Sequence, residues 1–240
     1  MTFRGPLLAF ALALGAAACA APRPTLVPPG TAQADQYLFE QGEASMEARR
    51  WANAREYFRQ IVDNYPQSTY RPDAKLGIGD AFLGEGNIES LLLAVSEYRE
   101  FLTFFPTNPR ADYAQYQLAV AYSRQMLAPE RDQTATRDTI RELEVFLERY
   151  PNSRLIGDAR ALMRDAKDRL SEASYRVGLY YFRARWYPGA IDRFRAVLDS
   201  DPEFTRRDAV YYHLAESLLR VERPAEALPY YERLVAEFVQ

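Results

Sequence analysis

Cysteine and histidine are almost absent from this chain of 240 residues. Cys19 is the single cysteine and His213 the single histidine. One cysteine excludes an intramolecular disulfide and a multi-cysteine zinc site. One histidine excludes a two-histidine metal site and leaves little general-base chemistry. We therefore expect a protein that is not an enzyme and that carries no dissociable cofactor or metal.

Lysine is also scarce, and neither sign of charge dominates. Lys75 and Lys167 are the only lysines, and 30 basic residues face 33 acidic ones, for a net charge of -3. A balance of this kind provides no strong basic field, so we expect no nucleic-acid partner. The content of 48% hydrophobic and 26% charged residues is typical of a globular protein.

The N-terminus resembles an export signal. Arg4 precedes the apolar run Leu7–Ala18, which is shorter than the roughly 20 residues of a membrane-spanning helix. Small residues end the run directly before Cys19, as in bacterial lipoprotein signals, where the cysteine is lipidated and becomes the mature N-terminus. This resemblance predicts a signal peptide over 1–18 and a covalent lipid on Cys19.

Two residues near Cys19 bear on whether the chain is a lipoprotein and on where it would be located. Ala16 stands three residues before Cys19, where the usual signal has leucine, so a plain secretory signal with an incidental cysteine is the alternative. Ala20 follows the cysteine in place of the aspartate that retains lipoproteins in the inner membrane. By this resemblance, the expected location is the periplasmic face of the outer membrane.

A proline-rich stretch follows the cysteine. Pro22, Pro24, Pro28 and Pro29 lie within residues 19–34, and proline favours extended chain over folded elements. We interpret 19–34 as the lipidated cysteine and a tether, whose fifteen residues 20–34 could reach roughly 45 Å at about 3.1 Å per residue.

A repeat with variable spacing begins at Asp35. Pro66, Pro106, Pro151 and Pro202 each follow an aromatic residue or aspartate, at intervals of 40, 45 and 51 residues. A small residue stands twelve positions before each proline, and a large residue stands eight positions before it. Two apolar residues stand five and four positions before it. The first two positions are Ala54 and Phe58, Ala94 and Tyr98, Thr139 and Leu143, Ala190 and Phe194, and, with Val239 as the proline equivalent, Ala227 and Tyr231. These offsets lie on one face of a helix that the proline ends.

This register matches the tetratricopeptide repeat, whose small, small, aromatic and proline positions correspond to Gly42, Ala54, Phe58 and Pro66. We predict an all-α, right-handed solenoid of about five helix pairs over 35–240, with the first helices lining a concave face. The predicted first helices run near 35–49, 72–84, 110–126, 155–184 and 206–220, and their partners near 52–65, 89–105, 134–150, 188–200 and 224–238. Ser68, Ser153 and Thr205 with Asp208 are the expected N-caps.

Several segments resemble one family more closely. They are FPTNPRADYAQYQLAVAY from Phe105, ERDQTATR from Glu130, YPNS from Tyr150, and Asp168-Arg169-Leu170. Their order, together with the cysteine and five repeats, resembles the BamD family (ComL, YfiO), the lipoprotein subunits of the outer membrane β-barrel assembly machinery. The chain departs from the family after Tyr122, where an Arg-Gly pair is missing, and in the short loop before Glu130.

The resemblance implies a non-enzymatic assembly factor. It would bind unfolded outer membrane proteins by their C-terminal β-signals and dock on a BamA-like barrel protein, with other lipoprotein subunits as further partners. It assigns client binding to the 35–150 half, with Tyr37, Tyr113 and Tyr116 as candidates, although the latter two could equally pack between repeats. It assigns partner docking to the 151–240 half, where Arg193 aligns with a family arginine that pairs with a BamA carboxylate.

Another class of function stays open. A tetratricopeptide lipoprotein could scaffold a different envelope complex, such as a pilus secretion system or the peptidoglycan-linked division machinery. The last predicted helix carries Leu228, Tyr231, Leu234, Val235 and Phe238. We expect this apolar flank either to pack wholly inward or to be covered in part by a partner.

Overall fold

The computed structural model describes residues 27–28 and 31–238. The described part of the chain consists of helices and turns without a strand. Its helices are α1 (Ala34–Glu47), α2 (Trp51–Asn64), α3 (Arg71–Glu85), α4 (Ile88–Phe104), α5 (Ala111–Ser123), α6 (Thr134–Arg149), α7 (Ile156–Arg183), α8 (Tyr187–Ser200), α9 (Arg207–Arg220) and α10 (Pro224–Phe238). The predicted signal peptide, Cys19 and most of the predicted tether lie outside the described residues.

The helices pack as an array of pairs. Each helix contacts the next in the chain, and the first helices of neighbouring pairs also meet, α1 with α3 and α7 with α9. This confirms the predicted all-α repeat class. The observed helices follow the predicted ranges closely, except that α5 ends at Ser123, before the predicted 126, and a turn-rich segment leads to α6.

The small and large positions of the register explain how neighbouring helices approach. The ring of Phe58 on α2 lies between Gly42 of α1 and Gly77 of α3, and a Cβ placed on Gly77 would come within 2.5 Å of it. Gly178 of α7 and Phe194 of α8 are arranged in the same way, and a Cβ placed on Gly178 would come within 2.5 Å of the ring. The glycines therefore provide the space into which the aromatic rings of α2 and α8 pack.

The long helix α7 belongs to two parts of the core. In its first half Ala159 and Met163 pack with Leu143 and Phe146 of the third pair. In its second half Tyr175 joins the cluster formed by the fourth and fifth pairs. One continuous helix thus sets the position of the third pair relative to the last two.

The predicted N-caps are wrong. Ser68 stands three positions before Arg71, the first residue of α3. Its hydroxyl accepts from the Tyr70 amide at 3.1 Å while donating to Asp35 at 2.7 Å. Ser153 likewise accepts from the Leu155 amide and donates to Asp112 at 2.6 Å. These serines link each turn to the preceding first helix, because the turn after the proline is too long for them to cap.

Thr205 and Asp208 are not caps either. The backbone N–H of Thr205 donates to Asp168 of α7 at 3.0 Å, and Asp208 lies inside the first turn of α9, which begins at Arg207. The junction between the fourth and fifth pairs is thus also tied to the first helix that precedes it.

Asp201 takes the position before proline that an aromatic residue holds in the other turns. It is 6% exposed and accepts from both terminal nitrogens of Arg164, at 3.0 and 2.5 Å, and from Ser171 at 2.6 Å. Burial opposes its ionisation, but the hydrogen bonds from Arg164 and Ser171 outweigh burial and hold the pKa of its carboxyl below the ordinary value. A charged group therefore fixes the turn after α8 to α7, where the turns after the earlier second helices carry an aromatic residue.

Candidate functional site

Tyr113 of α5 belongs to a buried polar group with two other side chains. Its hydroxyl donates to Asp80 of α3 at 2.9 Å, and Tyr98 of α4 donates to the same oxygen at 2.6 Å. Burial raises the pKa of Asp80 more than these hydrogen bonds lower it, and burial with the nearby Asp80 charge raises the pKa of Tyr113. Tyr113 thus stays a protonated donor, fixed between the second and third pairs.

Charged groups surround this polar core on the first helices. The Arg110 guanidinium pairs with Asp73 at 2.8 Å and lies 5.0 Å from the centre of the Tyr113 ring. Burial raises the pKa of Glu43 on α1, and the Arg110 charge opposes that rise. Asp73 and Glu43 thus place carboxylate oxygens on α3 and α1 beside this polar core, and such oxygens can accept hydrogen bonds from backbone N–H groups.

The three candidate tyrosines do not form one cluster. Tyr113 is directed towards Asp80, whereas Tyr116, one turn later on α5, packs against Phe146 with ring centres 6.0 Å apart. Burial raises the pKa of Tyr116 above its ordinary value. Tyr37 is half-buried on α1. Tyr113 thus contacts the second pair and Tyr116 packs within the third pair, and their role in client binding stays a prediction.

Arg193 is exposed on α8 and lines a cleft of about 600 Å³. Its walls are the 129–133 segment before α6, the middle of α7, and α8. The side chains that line it include Arg131, Arg137, Arg176, Val177, Tyr180 and Tyr181. The residue predicted for docking therefore lies in a groove between the third and fourth pairs.

The 129–133 wall is held by specific hydrogen bonds. Gln133 is buried, and its amide donates to the carbonyl oxygens of Ala128 at 2.9 Å and Arg131 at 3.1 Å. Thr136 donates to the side-chain oxygen of Gln133 at 2.9 Å, and Arg169 of α7 donates to the Leu127 carbonyl at 2.8 Å. The segment is thus fixed both to α6 and to α7.

Two features of these surfaces were missed from the sequence. Asp80 has one signal that could have found it, since it is the only charged residue in the otherwise apolar and small-residue stretch 76–84. The cleft has no such signal, because its walls come from residues about 60 positions apart that only the stacking of pairs brings together.

The last helix only partly follows the expectation for its apolar flank. Tyr231 donates to Glu216 at 2.5 Å, whereas Leu228 and Val235 are 57% and 58% exposed. Complete inward packing, one of the two expected arrangements, is therefore wrong for α10.

Within the described ranges, no group of three or more His, Cys, Asp or Glu side chains could hold a metal ion. None of the helices described above combines the length and the apolar content needed to cross a membrane.

An array of helix pairs with open surfaces on its first helices and between its pairs defines a repeat protein of the tetratricopeptide class. A structure of the TPR2AB domain of yeast Sti1 in a complex with pHSP90 has this fold, with a TM-score of 0.51 and 14% identity over 85% of this chain and 77% of that one.

The chain matches the family described as "Outer membrane lipoprotein" (YfiO) over residues 31–224, and it belongs to that family. A protein of Caulobacter vibrioides named outer membrane protein assembly factor BamD is 29% identical over 92% of this chain and 72% of its own length. A protein of the same name from Xylella fastidiosa is 25% identical over 77% of this chain and 68% of its own length. These matches confirm the resemblance to the BamD family.

Proposed function

We propose that this protein is a non-enzymatic lipoprotein subunit of the outer membrane β-barrel assembly complex. It binds unfolded outer membrane proteins and docks on a BamA-like barrel protein for their folding and insertion. The observation that carries this proposal is the family match over residues 31–224, together with relatives named BamD that cover up to 92% of the chain. A pull-down from detergent-solubilised envelopes tests it.

Recovery of a BamA-like barrel protein in that pull-down supports the assembly function. Recovery of secretin or pilus components instead would reverse it in favour of a scaffold for another envelope complex. Other assembly lipoproteins recovered with the barrel protein would be the further subunits.

The proposed membrane attachment is through acyl chains on Cys19 at the periplasmic face of the outer membrane. Stable anchoring needs two or more chains, with about 0.8 kcal/mol for each buried CH₂ group. We expect Cys19→Ser to release a soluble periplasmic form, measured by fractionation in a strain depleted of its partners. A Cys19→Ser protein that still fractionates with membrane lipid there would contradict lipid anchoring.

The proposed client surface lies on the first helices of the 35–150 half. The carboxylates of Asp73 and Glu43 beside Arg110 support it, since an extended β-signal exposes backbone N–H donors that such oxygens accept. A photo-crosslinking residue in place of Tyr37 or Tyr116 is expected to capture a synthetic β-signal peptide. The matched control is Tyr212, which is 47% exposed on α9, a first helix of the other half. Capture only from positions beyond Arg160 would show that this surface is not the client site.

The proposed docking residue is Arg193. Arg193→Glu is expected to weaken co-purification of the BamA-like partner about tenfold, because it places like charges together at the contact. The melting curve should barely change, since the side chain is exposed. Arg160→Glu, an exposed arginine on the first half of α7, serves as the control. A compensating arginine in the partner should restore binding, and normal co-purification of Arg193→Glu would place docking elsewhere.

A further inference from the structure

The cleft beside Arg193 continues into a second one. The smaller cleft, about 370 Å³, is lined by Arg137, Lys167 and Leu170, and it shares Arg137 and Leu170 with the larger one. Together they form a groove along α7, which we call the α7 groove. From Lys167 to Val177 a helix rises about 15 Å, which is the length of four or five extended residues.

Unpaired cations dominate the α7 groove. Five basic side chains face three carboxylates along it, on a chain whose net charge is -3. Among the described residues, Arg131, Arg137, Lys167 and Arg193 form no ion pair, whereas Arg176 pairs with Glu130 and Glu172.

The carboxylates in the groove already have partners. Glu130 pairs with Arg176, and Asp201 with Arg164. Asp132 accepts from the backbone N–H of Thr134 at 3.1 Å and from its hydroxyl at 3.0 Å, at the start of α6. The groove therefore offers positive charge to an occupant and little free negative charge.

Apolar side chains lie beside these cations. Val177 is 41% exposed and Tyr180 is 68% exposed, and they are neighbours at i and i+3 on α7. A phosphate or a lipid headgroup would leave this apolar surface uncovered, whereas a peptide with both kinds of side chain would cover it.

The walls of the groove are ordered before any ligand arrives. Gln133 and Arg169 hold the 129–133 wall through the hydrogen bonds described above. A preformed wall lowers the ordering cost of binding a flexible segment. The N-terminal part of this chain is not a suitable occupant, because residues 1–34 contain no aspartate or glutamate.

We propose that the α7 groove binds an extended acidic segment of a partner protein, with its carboxylates on the unpaired arginines and an aliphatic or aromatic side chain on Val177 and Tyr180. This inference deepens the proposed docking function and rests on it for the identity of the partner, since Arg193 belongs to both. A contact at Arg193 alone would need only the fourth pair, whereas binding in the α7 groove needs the third pair as well.

The test uses the detergent-solubilised full chain and a fluorescent decapeptide that alternates glutamate with leucine and phenylalanine. We expect Arg137→Glu to weaken binding of this peptide at least tenfold and Tyr180→Ala to weaken it several-fold, with Arg160→Glu equal to the parent. Binding should fall as salt is raised. A lysine-containing peptide of the same pattern should not bind.

Equal binding of the acidic and basic peptides, or equal loss in Arg160→Glu and Arg137→Glu, would overturn the proposal. The proposal would also be overturned if phosphatidylglycerol vesicles bound the parent protein but not Arg137→Glu, while the acidic peptide bound neither. Normal co-purification of the BamA-like partner by Arg193→Glu, combined with loss of the acidic peptide in Arg137→Glu, would remove the docking function but leave the groove proposal standing. Loss of co-purification in Arg193→Glu, combined with normal binding of the acidic peptide by Arg137→Glu, would remove the groove proposal and leave the docking function standing.

Discussion

Gly77→Ala is expected to lower the free energy of unfolding by about 2–3 kcal/mol, although alanine is the better helix former by about 1 kcal/mol. The new methyl group would lie 2.5 Å from the Phe58 ring, well inside van der Waals contact. The ring cannot retreat, because Gly42 of α1 covers its other side as closely and Phe58 is fully buried. Thermal or urea unfolding measures the loss. In thermal unfolding, each kcal/mol lowers the melting temperature by about 2–4 °C for a chain of this size.

The matched control is Gly157→Ala on α7. Nothing lies within 4 Å of a Cβ at Gly157, so only the helix propensity acts and the change should stabilise by about 0.5–1 kcal/mol. Phe58→Leu should recover part of the loss in the Gly77→Ala background, because a smaller side chain frees space for the methyl group. Equal effects of the two glycine substitutions would refute the packing explanation.

Asp201→Asn is expected to destabilise by about 2–3 kcal/mol. The substitution leaves the Arg164 guanidinium without its bidentate carboxylate, and breaking a buried ion pair typically costs 3–5 kcal/mol. We expect less here, because Arg164 is partly exposed and keeps Asp168 at 3.0 Å. Asp199→Asn, an exposed change two residues earlier, should lie within about 0.5 kcal/mol of the parent.

The same pair predicts a pH dependence. Because the pKa of Asp201 is lowered in the folded protein, the carboxylate stabilises the fold above its unfolded pKa of about 3.9 and loses this effect as pH falls through its folded pKa. The difference in unfolding free energy between the parent and Asp201→Asn should therefore be constant near neutral pH and shrink below about pH 4. A difference that stays unchanged down to pH 2 would contradict the ion-pair explanation.

The helices and the family were determined by the sequence alone. The positions twelve and eight residues before Pro66, Pro106, Pro151 and Pro202 mark the buried side of each second helix, and that periodicity is local to one helix. The segments from Phe105 and Tyr150 carried the resemblance that the family match over 31–224 confirms. Both signals lie within short stretches of chain, where spacing and residue type are enough.

The polar contacts between repeats were decided only by the tertiary structure. The bond from Ser153 to Asp112 and the bond from Tyr113 to Asp80 join residues 41 and 33 positions apart. The α7 groove likewise depends on a turn-rich segment, fixed by Gln133, that packs against the long helix α7. Helix periodicity specifies which face of each helix is buried, but the stacking of one pair on the next decides which polar groups meet, and that stacking sums contacts distributed over the whole interface.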